Sequence, residues 1–100
     1  PAQDEVDAAQ AGLERLELAL RTGEYDLIII EEGNVATACG LIDVQRLLDL
    51  IAAKPNEMEL VITGRGAAPA IMEAADLVTE MIEIKHYYKK GVTARKGIEK

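Results

Sequence analysis

A chain of 100 residues with 49% hydrophobic content is long enough for one core and too short for two, so residues 1–100 read as a single domain. Its three aromatic residues are all Tyr, which excludes an aromatic-rich sandwich, and its single Cys39 excludes an internal disulfide and any multi-cysteine zinc site. The net charge of −7 divides into −12 over residues 1–84 and +5 over residues 85–100, an acidic body that excludes general nucleic-acid binding.

Val6, Ala9, Leu13, Leu16 and Leu20 recur at steps of three and four, which predicts a first helix with one apolar stripe. Asp4 is the expected cap at its start, and Gly23 the left-handed residue at its end. The run "LIII" at 27–30 is apolar at every position, the pattern of a central strand covered on both faces of a parallel sheet. The small-residue segment "GNVATACG" follows, and then Asp43 precedes Val44, Leu47, Leu48 and Ile51 at helical spacing, which predicts a capped second helix. That helix should stop at Lys54, because Pro55 disfavours helical geometry in the residue before it.

"ELVIT" at 59–63 predicts a second buried strand, with "GRGAAP" as its exit loop. Pro69 suits the first turn of a short helix carrying Ile71, Met72 and Ala75. "LVTEMIEI" at 77–84 predicts a third strand, more peripheral because Glu80 and Glu83 interrupt it. The basic stretch "KHYYKKGVTARKGIEK" reads either as a tail able to meet an anion locally or as a solvated terminus. The order α-β-α-β-α-β, joined by right-handed crossovers, places the chain in the α/β class: a parallel sheet with helices as covering layers. No signal-peptide pattern or spanning apolar run is found in these residues, and with one cysteine the expected setting is the cytoplasm, with no membrane partner.

Parallel strands finish at one edge, where open α/β sheets bind ligands. The expected edge carries Glu31 and Glu32, then Thr63, Gly64 and Arg65, then Lys85 and His86. Two carboxylates ending a hydrophobic strand form a pattern that holds Mg²⁺ in nucleotide-binding folds, because this hard cation takes oxygen ligands. The bland reading is that any buried strand must turn polar where it meets water. Arg65, on a loop between two glycines, has a guanidinium fork suited to phosphate oxygens, or else merely offsets the two glutamates. "GRG" begins like a dinucleotide fingerprint but lacks the third glycine. His86 has no metal-site company, and Cys39 has no base or cation beside it in sequence to make it a nucleophile. Nowhere does the chain carry G-x-x-x-x-G-K-[ST], the phosphate cradle that would face such an acidic strand.

"YDLIIIEEGNVA", "ELVITGRGAAP", "EAADLVTEM" and "EIKHYYKKGVTARKGIEK" resemble, in order and spacing, the C-terminal half of the ATP:corrinoid adenosyltransferases of cobalamin biosynthesis. The likeness covers essentially the whole chain. It implies part of a P-loop NTPase-like fold used for alkyl transfer: reduced cobalt(I) of a corrinoid attacks the 5′ carbon of ATP, and triphosphate leaves. It also implies Mg²⁺ at Glu31 and Glu32, nucleotide contacts at Thr63, Gly64 and Arg65, and catalytic roles for Glu32 and Arg65. Glu31 stands where the family commonly has Asp, so the resemblance supports Glu32 as a metal ligand better than Glu31.

The family's phosphate loop and corrinoid-covering segment lie upstream of the position matching Pro1, and the expectation is a fragment of an adenosyltransferase, inactive by itself. The competing reading is a half-domain acting as a binding or oligomerisation module. A G-x-x-x-x-G-K-[ST] in the coding sequence just upstream separates the two. An acidic strand end followed by Thr63 and Lys85 is also the arrangement of receiver domains, but those need Asp as the phosphoacceptor and this strand ends in Glu. Strand edges and apolar surface left bare in a fragment make a homo-oligomer, such as the family's homodimer, the expected state.

Overall fold

The computed structural model describes residues 2–85, and its elements run α1 (Gln3–Thr22), β1 (Leu27–Ile30), α2 (Gly33–Ala38), α3 (Val44–Ala53), β2 (Glu59–Ile62) and α4 (Pro69–Ala74). The strands pair in parallel, with Leu27 opposite Glu59 and Ile30 opposite Ile62. This mixed helix-and-strand arrangement with a parallel pair is the α/β class expected from the element order.

The stripe of α1 buries Leu13, Leu16 and Leu20, and Ala9 packs at the margin of the same core. Gly23 ends the helix at φ 64°, returning its N–H to the Ala19 carbonyl at 3.2 Å. Asp4 is not the cap. The helix begins one turn earlier than the apolar stripe suggests, Ala2 occupies the cap position, and Asp4 accepts only from the neighbouring Glu5 N–H. Asp43 does cap α3, accepting from the Gln45 N–H at 2.9 Å, and α3 ends at Lys54 in extended geometry before Pro55. Asp43→Ala removes that acceptor and is expected to lower stability by about 1 kcal/mol, read as a reduced midpoint in denaturant titration with an unchanged slope.

Leu47 is completely buried at the centre of a core shared by α1, α3, Met58 and Ile71 of α4. Ile28, Ile30, Leu60 and Ile62 pack against that core from the sheet. Their alternates do not: Leu27 is 53% exposed, Ile29 58% and Val61 42%. The expectation of strands covered on both faces is thus corrected, since the core packs on one face. Nor is β1 central, because among the described residues the sheet has two strands and each is an edge.

The third strand is not formed. Residues 77–84 pair with neither edge, and Leu77, Met81 and Ile84 are more than four-fifths exposed. A strand needs a ladder partner for its backbone groups as well as a face to bury, and no described segment supplies either to this stretch. Conversely, the "GNVATA" run of the small-residue segment is helical, forming α2, although it lacks apolar periodicity.

One ion pair ties α1 to α3. Arg46 Nη2 donates to Glu17 Oε2 at 2.6 Å, and this hydrogen bond, with the guanidinium charge behind it, holds the Glu17 carboxyl below its ordinary range. A carboxylate so lowered contributes stability above its unfolded pKa and loses it as the pH falls through the folded one. Both side chains are partly exposed, so the contribution is small.

Candidate functional site

Parallel pairing brings the exits of β1 and β2 to the same edge, and four hydrogen bonds then zip them together. The Thr63 N–H donates to the Ile30 carbonyl at 3.1 Å, continuing the ladder one residue past β2. The Glu32 N–H donates to Thr63 Oγ1 at 3.0 Å, and the Asn34 N–H donates to the Thr63 carbonyl at 3.1 Å. The Asn34 side chain completes the set, its Nδ2 donating to the Gly64 carbonyl at 3.1 Å. Glu32, Thr63 and Gly64, singled out as exits of separate strands, are therefore brought together.

The backbone at this junction is unusual. Glu32 has φ 60° and ψ 20°, and it is the only non-glycine at positive φ among the described residues. A left-handed residue with a Cβ costs roughly 1–2 kcal/mol, and such conformations persist where surrounding bonds over-determine them, often at functional sites. Here the Glu32 N–H is held by Thr63, and its carbonyl accepts from the Ala36 N–H at 3.0 Å in the first turn of α2. Gly64 lies opposite with φ 117°, and a Cβ on it would approach Glu32 Cα and Val35 N at 3.3 Å each. The two exit loops meet backbone to backbone, and glycine permits that.

Above this base the charged groups stand free. Glu31, Glu32 and Arg65 are exposed, and the Glu32 side chain makes no capping bond to α2. The counter-ion reading of Arg65 finds no support: among the described residues it forms no ion pair with Glu31 or Glu32. Two carboxylates and a guanidinium are thus available at one sheet edge, mounted on a turn and a loop that are bonded to each other.

The remaining expected edge residues do not join this group. Lys85 is exposed in the segment after α4 and makes no hydrogen bond or ion pair with Glu31, Glu32, Thr63 or Arg65. His86 and the rest of the basic tail lie outside the described residues. Cys39 is exposed, next to α2. Among the described residues no three His, Cys, Asp or Glu side chains cluster as a metal cage, and no helix is long and apolar enough to cross a membrane.

Sequence reasoning passed over two residues. Asn34 is 6% exposed and carries two of the four bonds of the junction, yet its Oδ1 has no partner among the described residues. Gly33 is buried, and a Cβ there would strike Ile30 Cγ2 at 2.8 Å and Ile62 Cγ2 at 2.9 Å, the side chains that end the two strands. The available signal was the pair itself: a glycine and a short amide directly after an acidic strand end, where a loop must turn back over its own sheet.

Comparison with known proteins agrees with the resemblance drawn from the motifs. The family model described as ATP:corrinoid adenosyltransferase BtuR/CobO/CobP matches residues 1–99. The corrinoid adenosyltransferase of Pseudomonas aeruginosa is 38% identical over 97 residues, which is 97% of this chain and 48% of that protein. That of Sinorhizobium sp is 33% identical, covering 95% of this chain and 45% of its own length. Corrinoid adenosyltransferase CobA of Salmonella typhimurium is 30% identical over 74 residues, 74% of this chain and 38% of that protein. The chain spans about half the length, or less, of these relatives. With the motifs and a family match over nearly every residue in agreement, the chain belongs to the ATP:corrinoid adenosyltransferase family.

Proposed function

We propose that these residues supply the acidic-strand half of a nucleotide site in an enzyme that transfers the 5′-deoxyadenosyl group of ATP to the cobalt(I) of a corrinoid. Cobalt(I) supplies the electron pair of the new Co–C bond, the C5′–O bond breaks, and its electron pair leaves with triphosphate. The observation that carries the reading is the bonded junction of the Glu32 turn with the Gly64–Arg65 loop, which presents carboxylates and a guanidinium together at the ligand edge of a parallel pair.

The leaving group gains charge as the bond breaks, so donors fixed in place beforehand stabilise it most. Arg65 is assigned to the triphosphate oxygens, where its fork matches two acceptors at once. Thr63 and Gly64 hold the loop that carries it, and the Thr63 hydroxyl, already accepting from the Glu32 N–H, keeps its proton for a ligand oxygen.

Mg²⁺ fits the donors present. It keeps several waters and takes only one or two carboxylates besides substrate phosphates, so an exposed all-oxygen pair suits it while a three-ligand protein cage is not needed. Glu32 and, less directly, Glu31 would hold it, and bound there it would offset charge on the triphosphate.

The test uses the intact protein, meaning these residues joined to the part of the family's length that they do not span. Incubated with MgATP and a corrinoid reduced to cobalt(I), it is expected to give the adenosylated corrinoid and one triphosphate per turnover. Release of ADP and orthophosphate, or no alkyl transfer at all, would overturn the reading. The 100 residues by themselves contain no phosphate-cradling glycine loop, so they are expected to bind MgATP more weakly than about 1 mM, the upper end of ordinary enzyme KM values. Calorimetric titration measures this, and micromolar affinity would show that Glu32 and Arg65 need no such loop.

A second reading, a non-catalytic module that associates with itself or with another chain, draws on the exposed Leu27, Ile29 and Val61 of the sheet and on the apolar residues of 77–84. Alkyl transfer by the intact protein separates the readings, because a module alone predicts none. Association also accompanies the enzymatic reading, in which the bare face makes a homo-oligomer the proposed state.

A further inference from the structure

We infer that Asn34 is a positioning residue, which sets the reach of Arg65 toward the triphosphate by bonding the Gly64 carbonyl to the Glu32 turn; this rests on the nucleotide reading of the edge proposed above. Asn34 is 6% exposed, so its side chain acts on the neighbours that bury it rather than at the surface. Its backbone N–H is fixed on the Thr63 carbonyl, and its own carbonyl accepts from Thr37 Oγ1 at 2.8 Å, a buried bond within α2, the helix to which Asn34 belongs. From this fixed base Nδ2 reaches the Gly64 carbonyl, the last backbone acceptor before Arg65.

Among the described residues the side chain's only hydrogen bond is the one to Gly64. Oδ1 has no partner among the described residues, and the Nδ2 donor ties the amide to the loop. Gly64, at φ 117°, has a backbone free to take other conformations once the bond is gone, because glycine populates both signs of φ. Removing Nδ2 therefore releases the Arg65 loop while leaving the ladder beneath it, the Thr63 N–H to Ile30 bond, in place. Asn34→Asp makes a sharper change than Asn34→Ala: it keeps the shape but sets a carboxylate against the Gly64 carbonyl.

A double-mutant cycle in the intact protein tests this, with kcat/KM for MgATP as the readout and activity normalised to folded molecules. Asn34→Ala is expected to lower kcat/KM about threefold to tenfold, and Asn34→Asp at least as much. Placed in an Arg65→Ala background, Asn34→Ala should lower it by less than about twofold further, because the loop then carries nothing to position. A purely structural Asn34 would instead lower the melting temperature and multiply with Arg65→Ala, and that result overturns the inference while leaving the nucleotide reading intact. So would full activity in Asn34→Asp. If Arg65→Ala itself leaves kcat/KM unchanged, the nucleotide reading of the edge fails and the inference with it. Should Asn34→Ala not fold, Asn34→Ser, which keeps a polar side chain but removes the amide donor to the Gly64 carbonyl, takes its place in the cycle with Arg65→Ala. Non-additivity is again expected, and additivity again overturns the proposal.

Discussion

Glu32→Gln in the intact protein is expected to lower turnover about a hundredfold, while Glu83→Gln changes it by less than about twofold. The two glutamates look alike in the sequence, each next to an apolar run, and the fold separates them. Glu32 terminates the exit of β1 at the bonded junction, and Glu83 lies in the exposed segment after α4, remote in the chain from any paired strand. Gln keeps the length and volume of Glu but not its charge, so a metal-bound triphosphate loses an anionic ligand while the turn is undisturbed. The Glu32 side chain makes no hydrogen bond to α2, and only its backbone is fixed. Its melting temperature should therefore stay within about 2 °C of the parent, as for other exposed substitutions that remove no contact. Steady-state rates and thermal unfolding of both variants check the pair of expectations. Equal losses at the two positions would remove Glu32 from the site, and a large fall in melting temperature would make it a structural residue of the turn.

What the sequence disclosed and what it hid follow from how local each feature is. The stripe of α1, the Asp43 cap, the stop before Pro55 and both paired strands depend on neighbours a few residues away, and all were legible. The covering of the sheet depends on what packs against it. "LIII" is equally apolar at 27, 28, 29 and 30, so nothing in it distinguishes Ile28 and Ile30, which meet the helices, from Leu27 and Ile29, which face outward. The same limit applies to 77–84, whose residues suit a strand but whose ladder partner is not among the described elements. The hidden α2 is short and lacks a stripe; Gly33 packs against Ile30 and Ile62 and Asn34 bonds Thr63 and Gly64, and tertiary contact rather than propensity makes it a helix.

The candidate site shows the same division. Glu31, Glu32 and Arg65 were legible because charge next to an apolar strand is conspicuous, and parallel topology alone puts the strand exits side by side. The junction beneath them was not. Thr63 appeared as one more polar residue past a strand, and Asn34 as part of a small-residue loop, yet they join segments about thirty residues apart. Only register decides that: with Ile30 opposite Ile62, the next residue of the second strand falls where both the Glu32 and the Asn34 amides can reach it. A shift of one residue would turn Thr63 to the other face and separate the loops.

The proposed grip on a leaving triphosphate is open to the most discriminating test, at Arg65. Arg65→Lys in the intact protein is expected to lose about tenfold to a hundredfold in rate, the effect of forgoing one charge-assisted contact of roughly 1.5–3 kcal/mol. Charge is preserved in this variant, so a loss must come from geometry: an ammonium is a point donor and cannot reproduce the planar two-pronged contact. The structure sharpens the comparison, because Arg65 is exposed and forms no ion pair with Glu31 or Glu32 that a substitution would break. Neither Arg65→Lys nor Arg65→Ala should then lower the melting temperature appreciably, and Arg65→Ala should fall below Arg65→Lys in rate because it also removes the charge. Single-turnover alkyl transfer, measured at saturating MgATP, isolates the chemical step from binding and product release. If Arg65 instead served as a counter-ion to the acidic pair, Lys would nearly restore the parent rate, and Arg65→Ala would act mainly on stability. Full single-turnover activity in Arg65→Lys would take Arg65 off the triphosphate and leave the carboxylates of the Glu32 turn without their proposed partner.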